Sequence, residues 1–77
     1  MTEITFTAIY AEAEEGGYIG YIAELPGANT QGETLEETRE NLLEAMQLIL
    51  EANRQAAEQK LPANARIVRE SLILHAA

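Results

Sequence analysis

The chain predicts an α+β fold of order β-β-β-α-β, with one antiparallel-rich sheet covered on one face by a long helix. Three observations carry this expectation. Two segments of alternating polarity, residues 3 to 10 and 18 to 25, flank Glu14-Glu15-Gly16-Gly17, which has the composition of a hairpin turn. The stretch from Pro26 to Glu37 combines a turn, a short extended piece and a helix cap. From Leu35 to about Glu58 the apolar residues recur at helical spacing.

In the first strand Ile4, Phe6, Ala8 and Tyr10 point one way and Glu3, Thr5 and Thr7 the other. Ile9 breaks the polar side, so that side is expected to be partly covered. The second strand, Tyr18 to Leu25, is apolar on both faces: Tyr18, Gly20 and Ile22 on one, Ile19, Tyr21, Ala23 and Leu25 on the other. That pattern suits a central strand or an oligomer surface. Pro26-Gly27 turns the chain, and Ala28 to Gln31 can form a short third strand.

Thr34 is the expected N-cap, with Glu37 three residues on completing a capping box. In the helix Leu35, Thr38, Leu42, Ala45, Met46, Ile49, Asn53 and Ala56 share a face, flanked by Leu43, Leu50 and Ala57. This stripe should lie on the sheet, with Met46 filling core space. Leu61-Pro62 ends the helix. Ala65 to His75 reads as a last strand, bent or completed by another subunit, and a right-handed crossover would set it parallel to the first. A helix on one face leaves the other sheet face open, and that face needs a partner or a polar surface.

Seventy-seven residues make a single domain, residues 1–77. A chain of this size buries only roughly 60% of its unfolded surface, which favours a marginal monomer or a homodimer or homotetramer that shares its core. There is no cysteine, so neither disulfide nor thiolate chemistry is available. With neither a leader-like N-terminus nor a long apolar run, a soluble cytoplasmic protein is the expectation. The net charge of -8 comes from 13 glutamates and no aspartate against five Lys and Arg. Such a balance disfavours nucleic acid and attracts a basic protein.

Equipment for catalysis is sparse, and no enzyme is expected. His75 is the only histidine and sits two residues from the end, poorly placed for the enclosure and orienting partner that a general base needs. The strand glutamates Glu3, Glu12, Glu24 and Glu70 scatter over faces and ends instead of converging on a metal. Gly16-Gly17 is a turn and not a phosphate loop. Tyr10, Tyr18 and Tyr21 lack the interleaved cations of a base-stacking surface. No cofactor follows from any of this. The helix side opposite Leu35, Leu42 and Ile49 carries Glu36, Glu40, Glu44, Glu51 and Glu58. Like charges at this spacing cost an isolated helix ~0.2–0.5 kcal/mol per pair. The row reads as a solvated face or as a docking stripe. The candidate partner-binding residues are Glu36, Glu40, Glu44, Leu48 and Glu51.

Several strings taken together resemble the HicB-like antitoxin family, a small domain of partial ribonuclease H-like fold. They are Phe6-Thr7-Ala8, Glu15-Gly16-Gly17-Tyr18-Ile19, Leu25-Pro26-Gly27, Thr30-Gln31-Gly32-Glu33-Thr34-Leu35-Glu36-Glu37, Asn41-Leu42 and Glu44-Ala45. Glu33 stands where the family pattern has Asp, Thr38 where it has Ala, and Ala28 where it has Cys. The resemblance implies a β-β-β-α-β sheet with one covering helix. It also implies binding and neutralisation of a small, basic, mRNA-cleaving toxin whose active-site histidine the antitoxin blocks. Many members add a C-terminal DNA-binding segment. Only Ala76 and Ala77 follow His75 here, so direct DNA binding is not expected. The alternative is an orphan, self-associating domain with no toxin partner.

Overall fold

A computed structural model describes residues 5–73. Three strands, β1 (Ala8–Glu12), β2 (Tyr18–Ile22) and β3 (Asn29–Gly32), precede one long helix, α1 (Leu35–Gln59). The sheet is antiparallel throughout with order β1-β2-β3, so β2 is central. The helix packs on one face. The predicted α+β architecture is therefore the observed one.

Local chemistry explains the connections. In the β1–β2 hairpin the Gly16 N–H donates to the Ala13 carbonyl, and the Ala13 N–H to Gly17. Gly16 and Gly17 both take positive φ, 100° and 80°, which glycine adopts without penalty. After β2 the Ala28 N–H bonds the Leu25 carbonyl across Pro26-Gly27, and Gly27 has φ 96°. Proline at the second position and a positive-φ glycine at the third define a type II turn. This turn ends β2 at Ile22, three residues short of the expected Leu25. It also re-aims Leu25, which packs on the core instead of joining Ile19 and Tyr21 on the far face.

β1 runs later than its alternation suggested, from Ala8 to Glu12. Ile4 and Glu3 lie outside the described residues. Ahead of the strand, the carboxylate of Glu24 accepts from the Thr7 N–H at 2.7 Å and the Thr7 hydroxyl at 2.6 Å. The Ala23 N–H returns a bond to the Thr7 carbonyl, so pairing continues one step past β1.

Thr34 is the N-cap, accepting from the Glu37 N–H at 3.0 Å. The return arm of the box reaches one residue further back than expected: Glu37 Oε1 accepts from the Glu33 N–H at 2.6 Å. One turn into the helix, Thr38 is fully buried and its hydroxyl donates to the Thr34 carbonyl at 2.7 Å. A Cβ on Gly20 would stand 3.0 Å from the Thr38 methyl, and one on Gly32 would stand 2.6 Å from its hydroxyl oxygen. The two glycines let helix and sheet approach this closely. Leu42, one turn on, meets Ile22 and Ala28 to form the core, with Tyr10, Leu25, Met46 and Ile49 packed around it.

Two expectations need correction. The apolar stripe was expected to lie on the sheet along the whole helix, yet every residue from Leu50 to Gln59 is exposed, Asn53 and Ala56 included. Twenty-five helical residues span ~37 Å while a five-residue strand spans ~17 Å, so the helix overruns the sheet. The last strand is likewise not found among the described residues: residues 65–73 take no place in the sheet. A strand exists only through a ladder partner, and here the segment stays beside the overhanging helix end. There Arg69 forms a two-point ion pair with Glu58, its Nε at 2.9 Å from Oε2. Leu74 and His75 lie outside the described residues. The protein is accordingly elongated, 52 × 33 × 16 Å with a radius of gyration of 16.4 Å. A compact domain of this length would have ~11.5 Å.

Thr34→Ala should cost ~0.5–2 kcal/mol through the orphaned helix-start amide. Leu42→Ala should cost more, ~2–5 kcal/mol, by opening a cavity between helix and sheet. Gly32→Ala forces a Cβ into Thr38 and should also destabilise. Urea midpoints measure all three, and an unchanged Thr34→Ala midpoint would deny it the cap role.

Candidate functional site

Three surfaces stand out on this frame. The first is the sheet face turned away from α1. Side chains alternate along a strand, and Tyr10, Gly20 and Ile22 face the helix. The opposite parity sends Ile9, Ala11, Ile19 and Tyr21 outward. Register places Ile9 beside Tyr21 and Ala11 beside Ile19, with Asn29 and Gln31 of β3 bordering them. Ile9, Ile19 and Tyr21 are 36%, 45% and 43% exposed. They form a contiguous apolar row at the centre of an open sheet. The partly covered face expected from Ile9 is uncovered in the single chain.

The second surface is the outer side of α1. Glu36, Glu40, Glu44, Leu48 and Glu51, the residues singled out from the sequence, are all exposed there, and helical spacing gathers them on one broad face. Leu48 is 67% exposed. Glu51 accepts weakly, at 3.4 Å, from Arg54 and from Gln55. Among the described residues Glu36, Glu40 and Glu44 have no cation within ion-pair range. Glu36, Glu40 and Glu44 are a block of unneutralised negative charge, and Glu51 is paired with Arg54.

The third is an apolar groove of about 370 Å³ between α1 and the outer edge of β1. Phe6, Tyr10, Leu43 and Met46 line it, with Arg39 at its rim. The Arg39 guanidinium lies 6.0 Å from the centre of the Tyr10 ring, a cation–π geometry. A more polar cleft of about 490 Å³ lies at the other end of the sheet, where the β1–β2 hairpin meets the helix start, and it holds Glu15, Glu33 and Glu37.

The structure separates the other candidates. Tyr10 faces the helix and Tyr21 the open side, so the tyrosines do not share one stacking platform. Glu24 is held by Thr7, and the hydroxyl and amide donors of Thr7 pull its carboxyl below the ordinary glutamate range. Glu58 is lowered in the same way by the Arg69 guanidinium. Glu70 is exposed, and Glu3 and His75 fall outside the described residues. Among the described residues no three His, Cys, Asp or Glu side chains converge as a metal site would require, and no helix is long and apolar enough to cross a membrane.

The candidates read from the sequence lie on the outer helix face and do not include the open-face residues or the groove. A signal existed for each: Ile9 interrupts a polar alternation, strand two is apolar on both sides, and Leu43 and Leu50 flank the helix stripe.

Glu24 gives a pH test. Its folded pKa lies below its unfolded value, so its bonds to Thr7 add stability that is fully present above the ordinary glutamate pKa. That stability is lost as pH falls through the lowered folded value. Glu24→Gln should therefore lower the urea midpoint at neutral pH, and the gap to the natural protein should close on acidification below the ordinary glutamate range. A gap constant across that range would show that Glu24 contributes nothing through its charge.

Comparison with known proteins gives a family and no activity. The UPF0150-like family model matches residues 6–57. A UPF0150 protein of Synechocystis is 40% identical over 68 residues, covering 88% of this chain and 92% of its own. A UPF0150 protein of Thermotoga maritima is 45% identical over 47 residues, 60% of this chain and 63% of its own. A second Synechocystis UPF0150 protein is 35% identical over 51 residues, 66% of this chain and 74% of its own. No solved structure matches. The chain belongs to the UPF0150-like family.

Proposed function

We propose that this UPF0150-like chain is a protein-binding domain that works by association and not by catalysis, and that its open sheet face joins it to a second copy of itself. The apolar row of Ile9, Ile19 and Tyr21 carries this reading. A sheet packed on one face by a helix is a stable layer only when its other face is polar or covered, and this face is neither. Fully burying an aliphatic side chain is worth ~1.5–3 kcal/mol. Two isoleucines and a tyrosine that are 36–45% exposed gain the corresponding fraction of this, and doubled by a twofold axis they would offset part of the ~4–15 kcal/mol that association costs.

Sedimentation at high micromolar concentration should give a mass above one chain. Tyr21→Glu places a charge in the middle of the face and should shift the mass towards a single chain. Helix content should stay unchanged, because Tyr21 is exposed. A natural protein that sediments as a clean monomer would reject the reading.

The glutamate row on α1 supports a second reading, that of an antitoxin-like protein which binds and neutralises a small basic mRNA-cleaving toxin. Three adjacent carboxylates without cations form a field suited to a basic partner. The resemblance of Gly32-Glu33-Thr34-Leu35-Glu36 to the HicB-like string supports the same partner. If the row steers such an encounter, reversing Glu36, Glu40 and Glu44 to Lys should slow association and flatten its salt dependence, with a smaller effect on dissociation. Co-expression with the basic toxin encoded nearest the gene is the decisive trial. Growth not rescued, with no complex on titration, removes this reading for that toxin.

A further inference from the structure

We propose that residues 67–73 of one copy form a fourth strand along the outer edge of β1 in a second copy, exchanged reciprocally, with their apolar side chains filling the groove under α1. This goes beyond pairing through the open face and uses a different surface.

The receiving surface is unfinished in two ways. β1 pairs only with β2, so its other edge presents backbone donors and acceptors without a ladder partner among the described residues. An edge of this kind is a template for a further strand. Above that edge the helix is wider than the sheet it covers. Asn41 on one helix flank bonds the Gln31 carbonyl of β3 at 3.0 Å. On the opposite flank, Leu43 and Leu50 are exposed beyond β1. Phe6 and Met46 line the groove below them. One more strand is what would bring that flank into contact with a sheet.

The donated segment matches in pattern and charge. Val68, Leu72 and Ile73 are 86%, 94% and 64% exposed, more than any apolar residue of the open face. In an extended strand Val68, Glu70 and Leu72 share a side. Two apolar side chains with a carboxylate between them complement a groove of Leu43 and Met46 with Arg39 at its rim. Arg39 has no carboxylate within ion-pair range among the described residues, which leaves it open to Glu70. With one Arg and one Glu, residues 67–73 are net neutral, so the chain's net charge of -8 does not repel them from a second copy.

A second copy is the occupant because in this chain the segment lies beside the overhanging helix end and not in its own groove. Arg69 is tied to Glu58, nine residues beyond Ile49, the last helix residue packed on the core. That distance is ~13 Å along the helix. The radius of gyration of 16.4 Å against ~11.5 Å for a compact chain measures the same projection. Reciprocal exchange lets each copy complete the other's sheet, the low-cost route to a dimer when an identical element is traded.

The absence of native cysteine gives a direct test. Full-length Leu43→Cys and Glu70→Cys variants, both at exposed positions and on facing sides in the proposed pairing, are mixed and treated with a short bis-maleimide. Covalent chain pairs containing one of each variant are expected. In the double variant at high dilution, an internal link without chain pairs would place the segment on its own sheet and overturn the proposal. No link in either arrangement would overturn it too. Val68→Asp with Leu72→Asp gives a second readout. Both sites are exposed in the single chain, so helix content should persist while mixed pairs fall several-fold, and undiminished pairs would again overturn the proposal. The two surfaces fail separately: Tyr21→Glu tests the open face and leaves Leu43 and Glu70 untouched.

Discussion

The seat of Thr38 against Gly20 and Gly32 is the contact on which the rest of the structure depends. A Cβ on Gly32 would collide with the Thr38 hydroxyl and amide, and one on Gly20 would crowd the Thr38 methyl and the Tyr10 ring. Thr38 is thereby fixed over both β2 and β3. Its hydroxyl is satisfied by the Thr34 carbonyl, so its burial strands no polar group. Because Thr34 caps the helix one turn earlier, cap and seat together set both the start and the rotation of α1. Leu42 then lands on Ile22 and Ala28, and Ile49 reaches Gly27. A shift at Thr38 would propagate to each of these contacts.

The core built on that seat is small. Ile22, Ala28 and Leu42 are its only fully buried apolar members among the described residues, although 47% of the chain is hydrophobic. Most of the exposed large apolar side chains fall into three groups, the open sheet face, the groove beside β1 and the segment after the helix, with Leu48 apart on the outer face of α1. Small domains bury too little of their own surface to be secure alone. In this chain the uncovered apolar surface is concentrated on the open sheet face and beside β1, and the proposed association through these surfaces would remove it from water.

Charge is distributed to agree with that division. The unneutralised glutamates lie on the solvent side of α1, away from the apolar surfaces. The cations Arg66 and Arg69 sit in the trailing segment. In the proposed exchange, repulsion between the glutamate rows would keep the outer helix faces apart. The exposed Arg69–Glu58 pair adds little to stability by itself, and its consequence is positional.

Much of the fold was legible in the sequence. Turn positions followed from Gly16-Gly17 and Pro26-Gly27, where backbone geometry demands those residues. The helix start followed from Thr34 and Glu37, and its end from Pro62. These features are local, so neighbouring residues suffice to specify them. Three features were decided only by tertiary structure. Where β2 ends depends on the type II turn closing onto Ala28. How much of the helix stripe is buried depends on the length of the sheet beneath it, which no helical periodicity encodes. Whether residues 65–73 form a strand depends on a ladder partner, and the chain's own geometry holds that segment beside the helix end. The helix glutamates were likewise readable as a face from spacing alone, whereas Ile9, Tyr21 and Ile19 became one surface only through strand register. Sequence determines local conformation through bonds within a few residues. Which apolar surface stays uncovered depends on how distant elements meet in space.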